Sequence, residues 1–232
     1  MRLLLISSSN VHGYGYLDHA EAEIRDLGAK RIAFAPFALA DRDGYTERIR
    51  ERFARMEIDV IQLKNARDLD EVDALFVGGG NTFRLLKTMY DLSLLDPVRL
   101  RVRSGALAYI GSSAGTNIAA PTIKTTNDMP IVEPPSFDAL GLVSFQINPH
   151  YLDPDPSSTH KGETREERIL QFLEENATPV IGLREGTMLR IVDAEATLVG
   201  TTTARIFIRG RAPYDVLPGK ILLPPGEGAE GG

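Results

Sequence analysis

Short apolar runs alternate with longer segments of helical period along the first half of this chain. Residues 3–6, 31–37, 60–63, 74–77 and 107–110 are rich in Leu, Ile, Val, Phe and Ala. Between them, residues 43–56 carry Tyr45, Ile49, Phe53 and Met56 at three- and four-residue spacing with charge on the remaining positions, the pattern of an amphipathic helix. A further helix is predicted over 82–90. Runs that stay apolar rather than alternating are buried on both faces, and their separation by helices predicts a doubly wound, mostly parallel α/β sheet.

The texture changes after residue 120. Residues 121–144 hold several prolines and polar side chains without a clean period, which predicts a long functional loop. A strand follows at 143–147, then a helix from 164 to about 176, where Thr164 and Glu167 fit a capping box. Residues 179–183 read as another buried strand. The runs 188–192, 197–199 and 205–208, separated by turn residues, predict an antiparallel C-terminal extension. Residues 224–232, Pro-Pro-Gly-Glu-Gly-Ala-Glu-Gly-Gly, offer nothing to bury and are expected to be a disordered tail, leaving 1–223 as one domain.

Composition narrows the chemistry. The chain has 232 residues and a formal charge of −6 with acidic and basic residues interspersed, which disfavours nucleic acid and anionic membrane surfaces and suits a small-molecule or peptide substrate. There is no cysteine, which removes disulfides, thiolate catalysis, iron–sulfur clusters and cysteine-based zinc sites. The apolar run at 3–6 is shorter than the roughly 7–15 residues of a secretory h-region, and no stretch approaches the roughly 18 apolar residues of a membrane span. The expectation is a soluble, cytoplasmic protein; monomer and homodimer both remain open.

The sharpest local signal is Gly111-Ser112-Ser113-Ala114-Gly115, which closes an apolar strand and opens a run of small residues. A serine nucleophile sits on such a strand-to-helix turn, where flanking side chains would obstruct the chain. A plain glycine-rich turn is the alternative. The cluster Gly78-Gly79-Gly80 also ends a strand, and strand carboxyl ends are where parallel sheets bind ligands. The amides of Gly80 and Ala114 are therefore candidate oxyanion donors. Of the four histidines, His150 is the best-placed base; His12 and His19 are expected at a solvated surface, and His160 in a polar loop. Glu185 and Asp128 compete to orient it, and chain order does not choose between them. Arg165 falls in the first turn of a predicted helix, where the helix dipole disfavours a cation; it is either a solvated residue beside Glu163 and Glu166 or a clamp for a carboxylate.

The strings GGGNTF at 78–83, GSSAG at 111–115, PTIKTTNDMPIV at 121–132, NPH at 148–150 and HKGETR at 160–165 closely resemble peptidase E, the aspartyl dipeptidase family. The likeness runs from the first strand to the strand after Glu185. It implies a cytoplasmic serine peptidase that hydrolyses Asp-X dipeptides on a fold like that of class I glutamine amidotransferases, flavodoxin-like in outline, with no metal or cofactor. It further implies Ser113 as nucleophile, His150 as base, Gly80 and Ala114 as oxyanion donors, and Arg165 as the holder of the substrate's aspartate side chain. Glu185 matches the family's triad acid and is favoured, while Asp128 matches an aspartate assigned the same role on sequence grounds. Ser112 stands where enteric members often carry a tryptophan, which implies an altered pocket wall. Two other readings stay open: a cyanophycinase-like hydrolase of β-aspartyl peptides, and a non-catalytic peptide or amino-acid sensor.

Overall fold

The computed structural model describes residues 1–222 except 156, 158, 160, 161 and 194, so the tail expected at 224–232 lies outside the described residues, as does His160. Five strands, β1 (Arg2–Ile6), β2 (Arg31–Ala35), β3 (Asp59–Gln62), β4 (Ala74–Val77) and β5 (Ala108–Ser112), lie mutually parallel in the order β3-β2-β4-β5-β1. They correspond to the five apolar runs. The intervening helices are α1 (Glu21–Asp26), α2 (Arg42–Ala54), α3 (Thr82–Asp91) and α4 (Leu95–Arg103), and a short α5 (Ala114–Asn117) follows β5.

Because successive strand side chains point to opposite faces, each strand feeds two cores. Leu4, Ile6, Phe34 and Phe76 pack on Ile24 of α1 and on Ile49 and Phe53 of α2. Leu3, Leu5, Leu75 and Val77 pack on the other side with Leu85 and Met89 of α3 and Val98 of α4. This two-sided burial accounts for the unbroken apolar runs.

The second half builds β6 (Gln146–Tyr151), α6 (Arg165–Glu175), β7 (Val180–Arg184), β8 (Thr187–Val192), β9 (Glu195–Gly200), β10 (Ala204–Phe207), β11 (Tyr214–Val216) and β12 (Gly219–Ile221). In α6 the expected capping box is present: Thr164 Oγ1 accepts the Glu167 amide at 3.1 Å and Glu167 Oε2 accepts the Thr164 amide at 2.6 Å. Strands β8, β9 and β12 extend the main sheet antiparallel beyond β1, giving the order β3-β2-β4-β5-β1-β8-β9-β12.

The run expected at 205–208 behaves differently from its neighbours. As β10 it leaves the main sheet and pairs with β7 and β11 in a second sheet of order β11-β10-β7-β6. The reason is packing: Ile181, Leu183 and Ile206 join the core beneath the main sheet, while Val180 and Phe207 face Ile169 and Leu173 of α6. The strand predicted at 143–147 begins later and runs through Pro149, which an edge strand tolerates because no neighbour needs the missing N–H. Residues 121–144 form no helix or named strand, yet they are pinned down: Ile123, Ala139 and Leu140 are buried, and the Leu140 amide donates to the Ile118 carbonyl at 2.9 Å.

Candidate active site

The turn after β5 shows why its glycines are required. Ser113 itself takes the unusual angles, φ 53° and ψ −110°, a conformation non-glycine residues adopt only when the surroundings impose it. Its amide donates to the Ile6 carbonyl of β1 at 3.1 Å, and Thr116 Oγ1 donates to the carbonyls of Ile6 at 2.6 Å and Gly111 at 2.8 Å. Gly115 supplies room rather than angles: a Cβ there would lie 2.1 Å from the Val77 carbonyl oxygen of β4. A Cβ on Gly111 would likewise meet the Gly115 carbonyl at 2.6 Å. The spaced glycines let the turn press onto two strand ends at once and hold Ser113 above them.

His150 reaches this turn from β6. Pairing with β7 shifts register between Pro149 and Tyr151, so His150 is the extra residue of a bulge, with φ 55°. A bulge re-aims a side chain that regular pleating would send elsewhere. His150 Nε2 lies 2.9 Å from Ser113 Oγ, and His150 Nδ1 lies 2.8 Å from Glu185 Oε1. Glu185 stands in the tight β7–β8 turn beside Gly186. A carboxylate only accepts, so the Nδ1 proton points to Glu185 and Nε2 is left to accept the serine hydroxyl. The glutamate side chain is 49% exposed, which makes the pair weak as a source of stability and leaves orientation of the ring as its effect.

The other acid goes elsewhere. Asp128 Oδ2 accepts the Thr82 amide at 2.7 Å and the Thr82 hydroxyl at 2.6 Å, which ties residues 126–128 to the first turn of α3. Its carboxylate serves the helix start, as acidic groups at that end do. Arg165, the first residue of α6, is half-buried, and its Nη1 is a buried atom without a hydrogen-bond partner among the described residues. Burial lowers the Arg165 pKa, with Arg168 adding to the effect and the charges of Glu185 and Asp128 opposing it. A partly desolvated guanidinium with an unpartnered Nη1 has donor capacity left to receive a carboxylate. The Gly78–Gly80 loop closes the other flank, where a Cβ on Gly79 would approach Ser113 Cβ to 3.1 Å and the φ of 132° at Gly80 requires glycine.

With that geometry in hand, comparison with known proteins is decisive. Residues 3–199 match the family model of Peptidase family S51. The chain belongs to peptidase family S51. Among S51-like relatives, a Streptomyces coelicolor protein named Peptidase E is 56% identical over 228 residues, 96% of this chain and 93% of that one. A Drosophila melanogaster protein named "Probable alpha-aspartyl dipeptidase" is 50% identical over 213 residues, covering 88% of this chain and 89% of its own. The fold is also that of a peptidase crystal structure from an acI-B1 Actinobacterium, with TM-score 0.69 at 18% identity and 96% of each chain covered.

In this S51 chain a cavity of about 270 Å³ opens between Gly79, Gly80, Ser113 and His150 on one side and Tyr16, Tyr45 and Arg48 on the other. Ser112 does not line it. That side chain is fully buried, its Oγ 3.1 Å from Ser9 Oγ, so its small size is used in packing against the end of β1. His19 is half-buried rather than solvated, with its ring edge-on to Tyr14. Reasoning from sequence missed Ser7. Its fully buried hydroxyl accepts the His150 amide at 3.0 Å and donates to the Leu183 carbonyl at 2.8 Å, joining the ends of β1, β6 and β7. Its signal was present in Ser7-Ser8-Ser9, a polar run at the carboxyl end of the central strand. Among the described residues no group of three or more His, Asp or Glu side chains is arranged to hold a metal, and no helix is long and apolar enough to cross a membrane.

Proposed function

We propose that this S51 chain is a serine dipeptidase that hydrolyses dipeptides with amino-terminal aspartate through an acyl-enzyme on Ser113, with the cytoplasm as its compartment. The reading is carried by the continuous contact chain from Ser113 Oγ through His150 to Glu185, at 2.9 and 2.8 Å. His150 Nε2 takes the Ser113 proton as Oγ attacks the aspartyl carbonyl. The tetrahedral oxyanion is received by the amides of Gly80 and Ala114, donors whose individual loss costs about 3–4 kcal/mol in comparable sites. His150 then protonates the leaving amine, which departs as the second amino acid. A water molecule, deprotonated by the same imidazole, cleaves the ester and frees aspartate. Glu185 keeps the ring in the productive tautomer. Arg165 receives the substrate's side-chain carboxylate, a role supported by its unpaired Nη1 and by the aspartyl specificity that the Drosophila relative's name states.

Ser113→Ala should lower kcat on Asp-Leu by about 10⁴-fold or more while the far-UV spectrum and unfolding midpoint stay close to wild type. Undiminished hydrolysis by that variant would remove Ser113 from the mechanism. The same assay run on β-Asp-Arg separates a cyanophycinase-like activity, and failure of the wild-type serine to react with a fluorophosphonate would favour a sensor.

A further inference from the structure

An Asp-X dipeptide presents two carboxylates, one on the aspartyl side chain and one at its free carboxyl end, and Arg165 accounts for only the first. The structure carries a second cation, at the cavity beside Ser113. Arg48 lies on α2, whose Tyr45, Ile49 and Phe53 are buried against the main sheet. It lines the cavity that contains Ser113, His150 and Gly80, together with Tyr16 and Tyr45.

Arg48 is exposed to solvent, and the contact that restrains it is with an aromatic ring. The guanidinium stacks over the Tyr45 ring at 5.1 Å, a contact that restrains a long side chain. Tyr45 in turn is wedged beneath the glycine loop: its hydroxyl is 3.3 Å from that of Tyr16, and a Cβ on Gly78 would lie 2.4 Å from it. The ring that carries Arg48 therefore abuts the loop that abuts Ser113. One turn further along α2, Arg52 is already engaged by Asp18 at 3.1 Å and Glu21 at 2.7 Å. Among the described residues no carboxylate lies within ion-pair distance of Arg48; Glu51 and Asp18 line the adjoining groove beyond it. That arrangement leaves an unneutralised guanidinium at the Ser113 cavity, on a different helix from Arg165, in a protein of net negative charge.

We infer that Arg48 binds the free α-carboxylate of the leaving amino acid and thereby fits the Ser113 site to dipeptides. The inference rests on the dipeptidase reading and deepens it. Two arginines on different helices, Arg48 of α2 and Arg165 of α6, hold the two carboxylates of the substrate, so the scissile carbonyl is positioned from both ends. A peptide extended beyond the second residue, or capped there as an amide, lacks the second anchor.

The test compares Asp-Leu with Asp-Leu amide in wild type, Arg48→Gln and Arg48→Lys, with folding checked by thermal unfolding. Wild type should favour the free acid in kcat/KM by about 10- to 100-fold, the range expected for a charge-assisted contact. Arg48→Gln should raise KM for Asp-Leu by about that factor and bring the ratio of the two substrates close to one, while Arg48→Lys should retain part of the preference. Equal use of both substrates by wild type, or a preference that survives in folded Arg48→Gln, overturns the assignment of Arg48 and leaves the dipeptidase reading standing. A wild-type protein that cleaves neither substrate overturns the dipeptidase reading itself, and Arg48 with it.

Discussion

Replacing Ser7 with alanine should disable the site without touching any group proposed to act on substrate. Ser7 Oγ accepts the amide of His150 and donates to the carbonyl of Leu183, at 3.0 and 2.8 Å, in a fully buried position. His150 is held at φ 55°, a backbone state that costs a non-glycine residue roughly 1–3 kcal/mol and persists only when neighbours over-determine it. Ser7→Ala removes the acceptor of that amide, worth about 1–3 kcal/mol as a stranded donor, and the bond to Leu183, worth about 0.5–1.5 kcal/mol. Together these come to about 1.5–4.5 kcal/mol. For a chain of this length each kcal/mol moves the melting midpoint by about 2–4 °C, so the expected fall is roughly 3–18 °C. The bulge that aims the imidazole is then free to relax, and misplacement by about 1 Å costs on the order of 100-fold in rate. The assay is kcat on Asp-Leu well below the lowered midpoint, paired with thermal unfolding. A variant with wild-type kcat and midpoint would show that the β6–β7 ladder alone fixes His150, and that the Ser7 bridge is incidental.

Two further outcomes follow from the same contacts. Glu185→Gln should lower kcat by up to about 10⁴-fold with little change in stability, whereas Asp128→Asn should cost about 0.5–2 kcal/mol through the start of α3 with a much smaller loss of kcat; the reverse ranking in a side-by-side kinetic and unfolding comparison would exchange their roles. Asp73 is held below the ordinary carboxylate pKa by the backbone amides of Arg31 and Lys30, so its contribution to stability is present above about pH 4 and is lost as the pH falls through its folded-state value. Asp73→Asn should therefore lower the melting midpoint near neutral pH, with the gap to wild type closing in acid, and a gap that does not change with pH would refute that account.

Much of this molecule is legible along the chain because it is settled within a few residues. The five parallel strands announce themselves as apolar runs, since burial on both faces leaves no polar alternation. The start of α6 is written in Thr164 and Glu167, whose side chains satisfy each other's amides. The Ser113 turn is written in Gly111 and Gly115, because a Cβ at either position collides with the chain. Amino-acid type and period announce these features along the chain, although the collision that requires glycine at 115 is with Val77 of the neighbouring strand β4.

What the sequence by itself left undetermined are the meetings of residues far apart in it. Ser113 and His150 are 37 positions apart, His150 and Glu185 are 35, and Ser7 and His150 are 143. Glu185 and Asp128 are both loop carboxylates after ordered segments, and nothing local distinguishes the one that reaches His150 Nδ1 from the one that caps α3. That choice, the assignment of β10 to the second sheet, the bulge at His150 and the approach of Arg48 to the cavity all depend on which strand ends converge when two sheets and their helices bury their apolar faces together. The energy that decides them is summed over the whole core, so only the tertiary structure reveals it.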